Sequence, residues 1–153
     1  MVTRYLVAVL VMVGALTGTA WAQTSNEFVG VSAVKIVVED LPDNAAKCNV
    51  SKSGLDAAVR LPLDASRLRI DARSTDWVYV NVSVLSLPIG VCVANVEVKM
   101  KRVLAIPNTQ RLIFFATVWD NGSLMAGPPS NFGQRVNQEV TDMTKELIAE
   151  WIK

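Results

Sequence analysis

Two segments in the middle of the chain alternate regularly between apolar and polar residues. The first runs from Trp77 to Leu87, and the second covers residues 91–103. Alternation with a period of two is typical of a β-strand that buries one face. Pro88 and Gly90 lie between the segments at turn spacing, so the pattern predicts an antiparallel pair of strands. The residues expected on the buried face are Val78, Val80, Val82, Val84, Cys92, Ala94, Val96, Val98 and Met100.

A third strand is predicted over residues 111–119, which are apolar on both faces. It is expected to end at a hairpin-type turn over residues 120–122, after which Leu124 and Met125 return briefly along it. A sheet with helices on one side needs only one apolar face. The apolar side chains on the second face of this strand therefore predict an exposed aromatic patch. This candidate partner surface comprises Trp77, Tyr79, Phe115 and Trp119. Two alternatives stay open: residues 23–30 fold over this face, or the strand is buried on both sides.

The remaining pattern predicts two helices and two further strands. Residues 31–38 are rich in β-branched side chains and indicate a first strand, and residues 68–70 indicate a brief second one. Between them, Ser53 is expected to cap a helix that Pro62 stops or kinks. The last helix is expected to run from a capping box at Asn131 and Gln134 to Lys153. Its apolar stripe consists of Val136, Val140, Met143, Leu147 and Trp151.

The predicted element order is therefore β-α-(β)-β-β-β-α. Adjacent strands combined with helices on one side define an α+β fold, a two-layer sandwich with a mainly antiparallel sheet. Residues 31–153 are expected to form a single domain of this kind. Residues 23–30 are interpreted as a flexible lead-in to that domain.

The amino terminus has the three parts of a secretory signal. Arg4 supplies a positive charge, an apolar run follows, and Ala20 and Ala22 form an A-x-A pattern before Gln23. Residues 1–22 are therefore predicted to be a cleavable signal peptide, cut between Ala22 and Gln23. The apolar run is shorter than the roughly 20 residues of a membrane span, and no span is expected after the signal is removed. An uncleaved anchor is the alternative.

The two cysteines, Cys48 and Cys92, are predicted to form a disulfide, because an even number in an exported chain favours one. The chain has no CxxC motif and no histidine, so the usual ligands of a zinc or copper site are missing. Neither a metal site nor a cofactor is predicted. The domain is expected in the periplasm or outside the cell.

Charge and composition exclude several classes of function. The formal net charge is +1 without a strong basic cluster, which argues against nucleic acid as a partner. The absence of histidine excludes Ser-His-Asp and Cys-His hydrolase sites within this chain, and no phosphate-binding loop or GxSxG motif occurs. Carboxylate chemistry remains open on paper, and its candidates are Asp40, Asp43, Asp76 and Asp120.

Four segments together show a resemblance to a known kind of protein: CNVSKSGL, WVYVNVSVL, GVCVANVEVKM and ATVWDNGSL, followed by the terminal amphipathic helix. This series is similar to a group of uncharacterised bacterial exported proteins that are small, have an α+β fold and contain one disulfide. The resemblance covers about residues 31–152. It implies a fold and a disulfide but no activity.

Two hypotheses about function follow from the sequence. The favoured one is a non-enzymatic periplasmic module that binds an envelope protein through the sheet face or its edge. A homodimer is a further arrangement that the sequence permits. The alternative is a small-molecule binder or weak carboxylate-dependent hydrolase, whose site would lie among the loops that hold Asp40, Asp76 and Asp120.

Overall fold

The chain folds around one five-stranded sheet. The computed structural model describes residues 28–105, 109 and 111–153, so the predicted signal peptide and residues 23–27 lie outside the described residues. The helices are α1 (Lys52–Asp64) and α2 (Pro129–Trp151), and a short 3₁₀ helix (Asp43–Cys48) precedes α1. The strands are β1 (Ala33–Val38), β2 (Arg69–Ile70), β3 (Trp77–Leu87), β4 (Val91–Ala105) and β5 (Leu112–Gly127).

The predicted antiparallel pair is confirmed, and it occupies the centre of the sheet. The spatial order is β2-β1-β3-β4-β5. β3 pairs with β4 from Trp77 opposite Lys101 to Leu87 opposite Val91. β5 pairs antiparallel with β4, whereas β1 runs parallel to both β3 and β2. The sheet is therefore mixed, and the α+β fold class is confirmed.

The apolar face of the central strands forms the floor of the core. Its side chains are between 0% and 6% exposed, and burying each such side chain contributes about 1.5–3 kcal/mol. The predicted stripe of α2 lies over this face, and α1 packs beside α2. Neither of these two described helices combines the length and apolarity that crossing a membrane requires. The helical side chains that are at most 3% exposed include Leu55, Val59, Leu63, Val136, Val140, Met143 and Leu147.

Both helices begin earlier than predicted. The N-cap of α1 is Ser51, whose hydroxyl accepts a hydrogen bond from the Gly54 N–H at 3.2 Å, so Ser53 lies inside the helix. α2 begins at Pro129 without a side-chain cap. Proline suits a first helical position because its ring presets φ and it lacks an N–H. The predicted capping box at Asn131 and Gln134 is therefore wrong.

Pro62 does not stop α1. Proline cannot donate the usual helical hydrogen bond to the carbonyl four residues earlier, which here belongs to Ala58. The Thr141 hydroxyl of α2 lies 3.2 Å from that carbonyl oxygen and shares its single proton with the nearer Asn137 carbonyl, at 2.9 Å. α1 continues through Pro62 to Asp64.

The hairpin-type turn predicted at residues 120–122 does not exist. β5 continues through it, and Asp120, Asn121 and Gly122 pair with Lys99, Val98 and Glu97 of β4. The side-chain amide of Asn121 also donates a hydrogen bond to Glu146 of α2. The length of β4 explains the difference, because β4 offers a continuous ladder that local turn propensity cannot overcome.

The predicted disulfide between Cys48 and Cys92 is confirmed, with a Cα–Cα distance of 5.8 Å. It joins the end of the 3₁₀ helix to the start of β4. The next residue, Asn49, has φ +56°. Its side-chain amide donates a hydrogen bond to the Pro129 carbonyl oxygen at 2.9 Å. A Cβ at Gly133 would lie 1.8 Å from the Asn49 carbonyl oxygen, so only glycine permits this approach of α2.

Removing the disulfide is expected to lower stability substantially. The chain-entropy relation gives about 4 kcal/mol for a loop of this length. The double variant Cys48→Ala, Cys92→Ala should lose about that free energy of unfolding in urea, measured by tryptophan fluorescence. The unsubstituted protein in reductant is the control and should show a similar loss. A change under about 1 kcal/mol in both would contradict the expectation.

Candidate functional site

Among the residues that the structure describes, the second face of the sheet carries aromatic and charged side chains and no helix. We call it the open face and define it by Lys35, Trp77, Tyr79, Lys101 and Phe115. In the β1–β3–β4 register, Lys35 stands beside Trp77 and Trp77 opposite Lys101. Each residue of this face on β3 is half-buried or exposed, whereas the valines between them are buried. The predicted division of β3 into two faces is therefore confirmed.

An aromatic cluster of Trp77, Phe114 and Phe115 occupies one end of the open face. The ring centroids of Trp77 and Phe115 are 4.3 Å apart, and those of Phe114 and Phe115 are 6.4 Å apart. Phe114 is 62% exposed and Phe115 is 47% exposed. The Lys35 ammonium lies 5.1 Å from the Trp77 ring centroid, within the range of a cation–π contact. The cluster thus offers apolar rings to solvent beside a positive charge.

Irregular pairing of β5 brings the two phenylalanines together. The β4–β5 register shifts between Arg102 and Leu104, and Phe115 has φ +59°. A residue in the left-handed region breaks the two-residue alternation of a strand. Phe114 and Phe115 therefore both border one cleft, although simple alternation predicts that they lie on opposite faces.

The conformation of Phe115 can be tested by comparing two substitutions that both remove the ring. The free energy of unfolding of Phe115→Gly should be about 1 kcal/mol larger than that of Phe115→Ala. Glycine is the more stable variant because it adopts positive φ without the Cβ penalty. Urea denaturation followed by circular dichroism provides the measurement. Equal stability, or a more stable alanine variant, would show that residue 115 does not adopt this conformation.

Trp119 does not belong to the open face, although the sequence pattern assigns it there. It pairs with Met100, which is buried, while Thr117 pairs with Lys101. The extra residue Val118 between these pairs is a β-bulge that reverses the facing of the strand. Trp119 is half-buried and packs against the core. Of the predicted surface residues, the structure groups Trp77, Tyr79 and Phe115 on one face.

Tyr79 lies between opposite charges next to the aromatic cluster. The Lys101 ammonium is 3.6 Å from its ring centroid, and its hydroxyl donates a hydrogen bond to the Glu39 carboxylate. This hydrogen bond, together with burial and the negative charges of Glu39 and Glu97, raises the pKa of Tyr79 to about 12. Tyr79 therefore stays neutral through the physiological range and keeps its hydroxyl as a donor.

The raised pKa of Tyr79 gives a spectroscopic prediction. In a chain that begins at Gln23, the predicted mature start, Tyr79 is the one tyrosine, and its ionisation at 295 nm should have a midpoint near pH 12. Adding Glu39→Gln should lower that midpoint. Because the folded protein holds this proton more tightly, its stabilising contribution is present below about pH 10 and lost as pH rises toward 12. An ordinary midpoint in the folded protein would contradict the contact.

Two clefts meet at Lys35 and Trp77. The first, of about 260 Å³, lies over the aromatic cluster and also contacts Val103 and Arg73. The second, of about 540 Å³, is the edge groove. Sequence patterns do not reveal either cleft, because each forms where separate elements meet. The edge groove is lined by residues 35–38 of β1, by Lys52, Ser53 and Asp56 of α1, and by Trp77.

A third and larger cleft lies at the carboxyl ends of the two helices. Its volume is about 810 Å³, and Arg67 and Lys145 stand among its lining residues. Lys145 pairs with Asp142 at 2.9 Å, and neither helix has a basic residue in its last turn. We therefore assign this cleft to the packing of the two helix ends. Its apolar lining comprises Pro62, Ala65, Ile148, Trp151 and Ile152.

The candidate carboxylates do not form one site. The exposed Asp40 pairs with Lys52 at 2.6 Å, which lowers the pKa of Asp40 through a hydrogen bond and charge attraction. Asp76 pairs with Arg102 at 2.9 Å. Asp120 lies opposite Lys99 on the open face. Arg102, the partner of Asp76, lies on the side of β4 that carries the buried face. The sheet therefore separates Asp76 from Asp120.

The fourth candidate, Asp43, begins the 3₁₀ helix in its first turn. A negative charge is stabilising at that end of a helix. Within the described residues, no group of three or more histidine, cysteine, aspartate or glutamate side chains is placed to hold a metal ion. Asp40 and Asp76 are thus held in ion pairs, and Asp43 lies at the start of a helix.

Comparison with known proteins gives a distant likeness. No protein-family model matches the chain, and no curated protein matches it. Among solved structures, it is similar to a PelC variant dodecamer from Paraburkholderia phytofirmans, with a TM-score of 0.45 and 14% sequence identity. The match covers 78% of this chain and 87% of that chain. A likeness at this level does not bear on function.

Proposed function

We propose that this protein is a non-enzymatic interaction module that binds an envelope protein outside the cytosol. The exposed aromatic cluster on the open face is the observation that carries the proposal. Clustered, exposed apolar rings on a soluble domain often mark surfaces that bind partners. Phe114 and Phe115 are large, rigid side chains, and such residues dominate the energetics of many protein interfaces.

Charges around the cluster favour a partner of definite chemistry. Lys35 stands over Trp77, and Arg73 borders the same cleft with its side chain 93% exposed. An apolar centre with a charged rim is the usual arrangement of a protein interface. The partner surface is therefore expected to place an apolar side chain in the cleft and an acidic side chain near its rim.

The disulfide and the predicted signal peptide together support a location outside the cytosol. An intramolecular disulfide is consistent with an oxidising, extracytoplasmic location. The predicted signal over residues 1–22 supports export, and we propose the periplasm as the destination. A partner in the cell envelope is the kind of protein that such a module would meet there.

We do not extend the proposal to carboxylate-dependent hydrolysis. Such chemistry needs two carboxyl groups that act on one bond. Asp76 and Asp120 lie on opposite faces of the sheet, and Asp40 is engaged with Lys52. The arrangement of these side chains supports an interaction surface better than a catalytic one.

Capture of partners in intact cells tests the proposed surface. The tagged protein is cross-linked, purified and compared with a tagged, unrelated periplasmic protein. Substituting both Phe114 and Phe115 with alanine should reduce recovery of the specific partner by at least about tenfold. The matched control is Leu124→Ala, which removes a 76% exposed side chain opposite Asn95 on the same face.

Folding of each variant is checked by circular dichroism before capture is compared. The control variant should recover the partner as the unsubstituted protein does. Equal recovery by the double variant would contradict binding through the aromatic cluster. Loss of recovery by Leu124→Ala alone would place the interface at the other end of the sheet.

A further inference from the structure

Within the described part of the chain, β1 is covered along only part of its outer edge. β2 pairs with Ala33 and Val34, and no described strand lies beside the remaining four residues of β1. The last hydrogen bond on that side runs from the Asp71 N–H to the Val34 carbonyl at 2.9 Å. An uncovered strand edge is a template on which another chain can form backbone hydrogen bonds.

The direction of the backbone groups follows from the bonds that β1 makes with β3. The Lys35 N–H donates to Asp76 at 2.8 Å, and the Glu39 N–H donates to Val80 at 3.0 Å. In a parallel pair, alternate residues bond to the same neighbour. The N–H and C=O groups of Ile36 and Val38 consequently point away from β3, toward the uncovered edge.

This edge lies in the edge groove, which continues past Lys35 and Trp77 to the aromatic cluster. Lys35 and Lys52 border the groove, and the first turn of α1 beside it contains no acidic residue. Asp56, the acidic residue of the lining, is engaged with Arg60. Lys52 is itself paired with Asp40 at 2.6 Å, so a negative side chain entering the groove would meet the Lys35 ammonium and the positive end of a helix.

We propose that an extended segment of the partner protein adds to the sheet as a strand beside Ile36 and Val38. This inference rests on the proposed function and specifies how the partner is recognised. The segment alternates apolar and polar side chains and places a glutamate or aspartate near Lys35. Its chain continues toward Trp77, where an apolar side chain enters the cleft over the aromatic cluster.

The short length of the uncovered edge favours a peptide segment over a second copy of this chain. Two outward-facing residues offer at most four backbone hydrogen bonds, and four residues extend only about 13 Å. Stable dimers usually bury much larger surfaces.

The test uses the full exported protein with its disulfide and the capped hexapeptide TVEVTV as the probe. Amide hydrogen exchange and chemical shifts are measured by NMR. In the free protein, the amides of Ile36 and Val38 should exchange at least about tenfold faster than that of Val37. At about 1 mM peptide, both amides should become protected and shift, with the largest changes confined to the edge groove.

Two control peptides separate backbone pairing from nonspecific binding. TVKVTV reverses the charge, and a peptide N-methylated at alternate residues cannot form the strand hydrogen bonds. Both should bind at least about tenfold more weakly than TVEVTV. Equal binding of the N-methylated peptide, or no change with TVEVTV, would overturn the inference. Protection of Ile36 and Val38 that grows with protein concentration alone would also overturn it, by showing pairing between copies.

Capture in cells distinguishes failure of this inference from failure of the proposed function. Val38→Pro removes an outward N–H, and Lys35→Glu reverses a charge of the groove. Both should reduce partner recovery by at least about tenfold. If these variants recover the partner normally while the Phe114 and Phe115 variant does not, strand addition is wrong and the open face stands. If none of the three reduces recovery, both are wrong.

Discussion

The antiparallel ladder between β3 and β4 determines where every other element lies. It pairs each residue from Trp77 to Leu87 with a residue of β4. One face of this ladder is buried and mostly valine, and the 3₁₀ helix and α2 cover it. The same ladder offers an edge on each side, to which β1 and β5 attach. The open face is consequently what remains after one face and both edges of the ladder have been used.

The side chains that the open face presents depend on where the pairing of β5 with β4 is interrupted. Without the bulge at Val118, Trp119 would join the aromatic side chains on the open face instead of packing against the core. Without the left-handed backbone at Phe115, the two phenylalanines would lie on opposite faces. Such interruptions are common near functional surfaces, because they redirect side chains without changing the rest of a sheet. The exposed cluster is thus a product of irregular geometry.

The two edges of the sheet differ in a way that supports one binding mode. β5 is long, but its bulges disturb its ladder with β4, and bulges are a common means of protecting an edge. The uncovered part of β1 is short, regular and bordered by Lys35 and α1. Because the edge groove and the aromatic cluster share Trp77, one extended partner segment can contact both. Backbone pairing and aromatic anchoring would then act together.

The sequence by itself determined the central strands, the stripe of α2, the α+β class and the disulfide. These features depend on local periodicity or on a pair of cysteines with no competing partner. Some local signals were overridden: the turn at residues 120–122 yielded to the ladder with β4, and Pro62 lies inside α1 without ending it. Only the tertiary structure decided the facing of Trp119, the pairing of Phe114 with Phe115 and the uncovered edge at Ile36 and Val38. Each of these depends on register and strand order, which are set by contacts between residues far apart in the chain.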